Sequence, residues 1–294
     1  MSRSRSLVLA ALALLIMLGS FTASPASGEI AYIESLSVLY TLDLQTGETT
    51  MVGPTGVEER FSSLSFGPEG RLWGIGRTQT TAAALFELDP ETGGATSIGV
   101  LGYDDLRALA IDGDGRFWAS DDDQLFTLDP ATGQATPGPV FEEEIRALAA
   151  RGSQLFAVRS LGEFETSVLR IDTATGQLTP VLESFPLDLP TSDASFGGAG
   201  KLHLKTAFNG GSLLGINHAF VRVDLESGQV ETTYETFTAF TDPLASMVSL
   251  AIRGGGPAVE VPTLGGSAIG VLVLSLAALG AHTLRRRRAP GVTV

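Results

Sequence analysis

The sequence predicts an all-β body folded as a five-bladed β-propeller. Three observations predict it. One hairpin motif occurs five times, a second hairpin alternates with it, and lone strands at the two ends of the body complement each other. Repeats of about 40–50 residues match the length of one four-stranded blade.

The first motif reads LYTLDLQTG at 39–47, LFELDPETG at 85–93, LFTLDPATG at 125–133, VLRIDTATG at 168–176 and FVRVDLESG at 220–228. Its aspartates, Asp43, Asp89, Asp129, Asp172 and Asp224, lie 46, 40, 43 and 52 residues apart. Alternating apolar residues make a strand. Asp then caps a turn, and Pro is tolerated next because its φ is already set. The Gly supplies a left-handed backbone position, and a Thr-rich strand returns. These aspartates are therefore structural.

The second motif reads LSFGPEGRLW at 64–73, LAIDGDGRFW at 109–118, LAARGSQLF at 148–156 and ASFGGAGKLH at 194–203. It is a hairpin with a Gly-rich turn. Its small central residue, Ser65, Ala110, Ala149 or Ser195, fits a strand crowded against the propeller axis. Each unit thus has four strands, A to D. Leu244–Arg253 is an A strand without a blade, and Glu29–Ile33 is a B strand without an A. Joined, they close the ring. An open array of hairpins would leave edges and apolar faces exposed. The repeats resemble those of secreted bacterial propellers with LYxIDxxTG units, a likeness over residues 29–253 that implies the fold and leaves function open.

The chain begins with Arg3 and Arg5, then an apolar run from Leu7 to Leu18, then small residues through Gly28. This is the layout of a secretory signal peptide over 1–28, with signal peptidase as the implied partner. At the other end, Ala268–Leu284 is apolar and just long enough to span a bilayer as a helix, for which about 20 residues are needed. Arg285, Arg286, Arg287 and Arg288 follow and mark the cytoplasmic side. Val261, Pro262, Thr263 and Leu264 precede it. Motif, helix and arginine cluster over 261–294 resemble the PEP-CTERM and IPTL-CTERM class of sorting signals, with Gly265-Gly266-Ser267 where that class carries Ser-Glu-Trp. The resemblance implies an exosortase-like processing enzyme and transient membrane attachment. Residues 254–260, Gly-rich at their start, form the linker.

The chain has no cysteine, so packing alone holds it together, and thiolate metal sites and a cysteine nucleophile are excluded. Residues 29–260 hold all 33 acidic residues and 13 of the 19 basic ones, a net formal charge of −20. Such a body repels nucleic acid. Divalent cations, neutral sugars and basic partners remain compatible with it.

In a propeller the D–A and B–C loops share one face around the channel mouth, the default binding face. Acidic groups converge there. The D–A segments carry Glu58-Glu59-Arg60, Asp104, Asp105 and Arg107, then Glu142, Glu143, Glu144 and Arg146, then Asp188, Asp193 and Asp242. The B–C segments add Asp121, Asp122, Asp123, Glu163, Glu165 and the loop 209–218. Asp105, Arg107, Glu144, Arg146 and Asp193 are the candidate ligand-binding residues. One reading is a solvated rim in which Arg107 and Arg146 pair Asp105 and Glu144. A second places Ca²⁺ on Asp121, Asp122 and Asp123, since Ca²⁺ takes several loop oxygens. A third is a glycosidase with two carboxyls at the mouth, although nothing singles out a pair. Asp112-Gly113-Asp114-Gly115 sits at an A–B turn on the opposite face and lacks the later bidentate Glu of a calcium loop.

Histidine is scarce. His203 takes the place of Trp73 and Trp118, which makes it a packing substitute, and the tryptophans themselves are expected between blades rather than as a sugar platform. No His-x-x-x-His or Ser/His/Asp pattern supports hydrolysis. The expected function is that of a non-enzymatic exported protein of the cell envelope or surface. It presents a rigid binding disc, with polysaccharide or a surface protein as partner and no cofactor beyond Ca²⁺. A carbohydrate-active enzyme and a purely structural surface protein are the alternatives.

Overall fold

The structure, a computed structural model, describes residues 29–77, 82–160, 165–186, 191–198, 200–208, 215–239 and 249–253. The expected signal peptide, linker, sorting motif Val261–Leu264, tail helix and Arg285–Arg288 lie outside these residues. So do Asp188, Asp242, Glu163 and most of the loop 209–218.

The described residues form strands and no helix. Blade 1 opens with β1 (Ile30–Ser35), β2 (Val38–Asp43) and β3 (Thr49–Pro54). Blade 2 holds β4 (Arg60–Phe66), β5 (Leu72–Arg77), β6 (Ala84–Leu88) and β7 (Ala95–Val100). Blade 3 holds β8 (Ala108–Ile111), β9 (Phe117–Ser120), β10 (Gln124–Leu128) and β11 (Ala135–Val140). Blade 4 holds β12 (Ala147–Arg151), β13 (Gln154–Ser160), β14 (Glu165–Ile171) and β15 (Leu178–Pro186). Blade 5 holds β16 (Thr191–Phe196), β17 (Leu202–Phe208), β18 (Gly215–Val223) and β19 (Val230–Ala239). Last, β20 (Ala251–Ile252) pairs with β1 and completes blade 1.

Each blade is an antiparallel meander. The innermost strands touch in a ring, β4 to β8 to β12 to β16 to β20 and back to β4. The expected closure by both termini holds, with one difference. The closing A strand is confined to Ala251–Ile252, and 241–248 lie outside the described residues.

The small-residue rule follows from the register. Ala251, Ser65, Ala110, Ala149 and Ser195 each sit opposite one bulky side chain of the neighbouring B strand: Tyr32, Trp73, Trp118, Phe156 and His203 in turn. All five bulky residues are buried. The ring of small residues lets the inner strands approach the axis, while the large partners fill the wedges between blades. Trp73, for example, meets Phe117 of blade 3 edge-on at 4.9 Å. Burying one large apolar side chain contributes roughly 1.5–3 kcal/mol. The inner serines add hydrogen bonds across the ring, because Ser65 Oγ accepts from the Ile111 N–H and Ser195 Oγ from the Ile252 N–H, both at 3.1 Å.

The five turn aspartates behave as caps. In each, a carboxylate oxygen accepts the backbone N–H two residues on, at 2.7–2.9 Å. The glycine four residues on has positive φ in all five copies. These hydrogen bonds hold the carboxylates below their usual range, led by the Thr46 N–H at Asp43 and the Thr92 hydroxyl at Asp89, while at Asp224 the hydrogen bond from Lys201 leads. Asp112 is likewise structural. Its Oδ1 accepts from the N–H groups of Asp114 and Arg116, and its Oδ2 accepts from Trp118 Nε1 at 3.0 Å.

Candidate functional site

The loop face carries a continuous ladder of ion pairs over blades 2 to 4. Arg77 reaches Asp105 at 3.8 Å and donates to the Asp104 carbonyl at 3.0 Å. Arg107 lies 4.0 Å from Asp105 and 3.3 Å from Asp122. Arg146 lies 3.8 Å from Asp122 and 3.8 Å from Glu144. The local backbone explains the gathering. The Ile145 N–H bonds the Asp122 carbonyl at 2.8 Å and the Phe141 N–H bonds that of Asp123 at 2.6 Å, so the D–A segment of one blade boundary is stitched to the preceding B–C turn. The pairing expected of Arg107 with Asp105 and of Arg146 with Glu144 is present. Asp122 joins the two pairs.

The three aspartates proposed for calcium do not converge. Asp121 Oδ1 caps its own turn, accepting from the N–H groups of Asp123 at 3.0 Å and Gln124 at 2.7 Å. Asp122 faces two guanidinium groups. Among the described residues no three acidic or histidine side chains gather as a metal site. Asp121 turns back on its own backbone while Asp122 faces the guanidinium groups.

Asp193 corrects the sequence reading. It is not on an exposed loop. It lies inside β16 and is 1% exposed. The register explains the shift. Residues 191–196 repeat 61–66 of blade 2, with a bulge at Ser192 that matches one at Ser62, so Asp193 takes the channel-lining place of Ser63. Its Oδ1 accepts from Ser63 Oγ at 3.0 Å and the Ala194 N–H at 2.9 Å. Its Oδ2 accepts from the Leu250 N–H at 2.7 Å and the Leu64 N–H at 3.4 Å. One carboxylate thus ties together blades 5, 1 and 2. Burial raises it to about 7 against these donors.

Behind Asp193, paired with it across β16 and β17, lies Lys205, fully buried, donating to Ser192 Oγ at 3.2 Å. Burial lowers its ammonium to about 7, opposed by Asp193. The same B-strand position in blades 2 and 4 holds Ile75 and Val158. In blade 1 the nearby Glu34 is also buried. Its Oε1 accepts from the Ser37 N–H at 2.6 Å and its Oε2 from the Phe61 N–H at 3.2 Å, and burial raises its carboxyl. Its contact with Ser37 holds a two-residue turn in which Leu36 and Ser37 both have positive φ, 52° and 63°, an uncommon conformation for residues other than Gly, Asn and Asp. Sequence reasoning missed Glu34 and Lys205 altogether. The signal was there in the repeat, where charged residues replace apolar ones at one rung.

The carboxyls raised by burial, Asp193 and Glu34, are enclosed and their oxygens are occupied by protein donors. They fasten the inner ring and offer no open acid and base pair. His203 Nε2 lies 2.9 Å from Glu29 Oε2 and is fully buried in the wedge position of the tryptophans.

Comparison with known proteins gives the fold. No family model matches the sequence, and no curated protein matches it. Among solved structures, a protein of Agrobacterium tumefaciens provisionally identified as TolB aligns at 14% identity with a TM-score of 0.50, covering 76% of this chain and 86% of its own. TolB of Acinetobacter baumannii aligns at 17% identity and a TM-score of 0.44, covering 74% of this chain and 55% of its own, so the chain spans little over half of that protein. A Bacteroides uniformis protein provisionally identified as a 6-phosphogluconolactonase aligns at 13% identity and a TM-score of 0.44, covering 71% of this chain and 83% of its own.

Proposed function

We propose that the protein is a non-enzymatic exported scaffold of the cell envelope that binds a neutral polysaccharide on its loop face. The ion-pair ladder from Arg77 to Glu144 carries this reading. Exposed pairs of this kind add only about 0–1 kcal/mol each to stability, so the fold gains little from them. A row of alternating guanidinium and carboxylate groups offers paired donors and acceptors to sugar hydroxyls. The enclosure of the burial-raised acids Asp193 and Glu34 weighs against a glycosidase, which needs two accessible carboxyls. The basic start, the C-terminal apolar segment and Arg285–Arg288 support export and a sorting step at Val261–Leu264.

The test is titration of the full-length chain with a panel of neutral and acidic polysaccharides, in Ca²⁺ and in chelator. Saturable binding of a neutral polymer that survives chelator and is lost in Arg107→Ala/Arg146→Ala supports the reading. Turnover of any polymer overturns it in favour of an enzyme. Peptide mapping of cell-derived protein tests the sorting step, since recovery of the Arg285–Arg288 segment in the mature form excludes processing.

A further inference from the structure

A groove of about 580 Å³ opens where blade 4 meets blade 3, beside the Glu144 end of the ion-pair ladder. Its origin is a local failure of the repeat. Phe86 of blade 2 and Phe126 of blade 3 occupy one C-strand position, opposite Gly74 and Ala119 of the B strand. In blade 4 that position, opposite Ala157, is Leu169. In blade 3, Tyr103 also covers Phe126, with ring centroids 4.8 Å apart. The corresponding segment before blade 4 carries Glu142 and Glu143 instead. Two aromatic fillings are missing, and the space they would occupy is the groove.

The lining is chemically mixed. Leu169, Leu178 and Pro180 contribute apolar surface, and Glu142, Glu143 and Glu183 contribute carboxylates. Arg159 also lines it and is paired with Glu143. No ion pair among the described residues engages Glu142 or Glu183. Ser167 lines the groove too. It is 2% exposed, and its hydroxyl has no hydrogen-bond partner, a cost that a bound group would relieve.

We propose that this groove binds a lysine or arginine side chain of a basic peptide segment. The methylene stem lies along Leu169, Leu178 and Pro180, as long cationic side chains commonly lie on apolar surface. The cationic head is drawn to Glu142 and Glu183 and donates to Ser167 Oγ. With Arg159 neutralised by Glu143, the lining keeps an excess of negative charge, and the acidic body attracts a cationic segment from a distance. An anionic ligand meets repulsion throughout. The groove lining contains none of the ladder residues on which the sugar-binding reading rests.

The experiment is fluorescence anisotropy of a labelled octapeptide of alternating Lys and Leu, titrated with the full-length chain. A Glu/Leu octapeptide and a neutral oligosaccharide serve as competitors. Saturable binding is expected for the Lys/Leu peptide, uncompeted by the other two. Glu142→Gln/Glu183→Gln weakens it about tenfold or more by removing the groove's free carboxylates. Leu169→Phe, which restores the residue of blades 2 and 3, blocks it by filling the groove. Glu48→Gln/Glu58→Gln removes the same charge from exposed positions at blades 1 and 2, outside the groove lining, and leaves it unchanged. Equal weakening by the distant pair shows a general electrostatic attraction and overturns the proposal, as does competition by the oligosaccharide or the acidic peptide. If Leu169→Phe fails to fold, the Glu142→Gln/Glu183→Gln variant, altered only at exposed positions, decides alone.

Discussion

The inner ring of this propeller has two rungs, and they obey different rules. On the rung of Ser65, every blade supplies a small residue: Ala251, Ser65, Ala110, Ala149 and Ser195. One step nearer the loop face, the rung of Ser63 runs Ser249, Ser63, Ala108, Ala147 and Asp193. Behind it the B strands present Glu34, Ile75, Ser120, Val158 and Lys205. The first rung answers one steric demand, which is the same in every blade. The second rung is polar in the sector of blades 5, 1 and 2 and apolar or small in blades 3 and 4. Packing alone does not require this, because Ile75 and Val158 fill equivalent space without charge. The polar sector coincides with the place where the chain's two ends are joined. Asp193 bonds the Leu250 N–H just before the closing strand β20, and the Glu34 N–H bonds Ser249 Oγ. With only two residues in β20, the ladder of blade 1 is short, and buried charged groups supply the missing fastening.

Removing one partner of this centre gives the largest effect. Asp193→Ala leaves Lys205 buried without its counter-charge and strips acceptors from the Leu250 and Leu64 N–H groups. Urea unfolding is expected to show a loss of about 3–5 kcal/mol. Asp193→Asn/Lys205→Met keeps shape without charge and is expected to recover much of that loss. If the double variant is as weak as Asp193→Ala, the centre acts through its shape and hydrogen bonds rather than its charge pair.

The perimeter offers the contrasting test, where the same demand recurs at two blade boundaries. A Cβ on Gly99 would lie 2.1 Å from the Thr132 carbonyl oxygen of the next blade, and one on Gly53 would lie 2.2 Å from that of Thr92. Gly99→Val forces the two blades apart and is expected to cost about 1–3 kcal/mol by the same assay. Gly53→Val is expected to match it, because the contact repeats. A large difference between the two would show that the blade boundaries are not equivalent.

The pair Asp193 and Lys205 also gives a pH signature. Burial raises the Asp193 carboxyl from 3.8 to about 7, so the folded state holds its proton more tightly. Its contribution to stability is full below the unfolded value and is lost as pH rises through about 7. Burial lowers Lys205 from 10.5 to about 7, so its contribution is full above the unfolded value and is lost as pH falls through about 7. Glu34, also raised by burial, is present in both the native chain and the double variant, so its titration cancels between them. The stability of the native chain minus that of Asp193→Asn/Lys205→Met is therefore expected to pass through a minimum near neutral pH. A flat difference from acid to alkaline pH would exclude the titration of this pair.

What the sequence revealed and what it hid have a common physical origin. Turn chemistry is local, so Asp129 and Gly133 announce their hairpin without any knowledge of the ring. Five such turns at blade spacing then give the architecture. The rim pairs were legible because Arg107 and Arg146 recur one residue before an A strand. Asp193 was misplaced because the bulge at Ser192 breaks the alternation that marks where β16 begins. Lys205 and Glu34 were hidden because a charged residue in a strand reads as solvent-facing until its blade equivalents, Ile75 and Val158, show that the position is inside. The groove beside Leu169 was hidden for the opposite reason. It is made by an aromatic residue that blade 4 lacks, and an absence shows only against the aligned copies.

The smallest effect on folding is expected where the proposed effect on binding is greatest. Arg107 and Arg146 are both about half exposed, and each bridges acids at 3.3–4.0 Å. In water such pairs nearly balance their Coulomb gain against desolvation and side-chain ordering. Arg107→Ala/Arg146→Ala is therefore expected to shift stability by no more than about 1 kcal/mol, and less at high salt, where the remaining attraction is screened. Urea unfolding at low and high salt checks this beside the polysaccharide titration. Unchanged stability with lost binding assigns the ladder to recognition. A loss as large as that of Asp193→Ala would make the rim a second fastening of the ring, and the contrast between an inner ring built for closure and an outer face built for contact would fall.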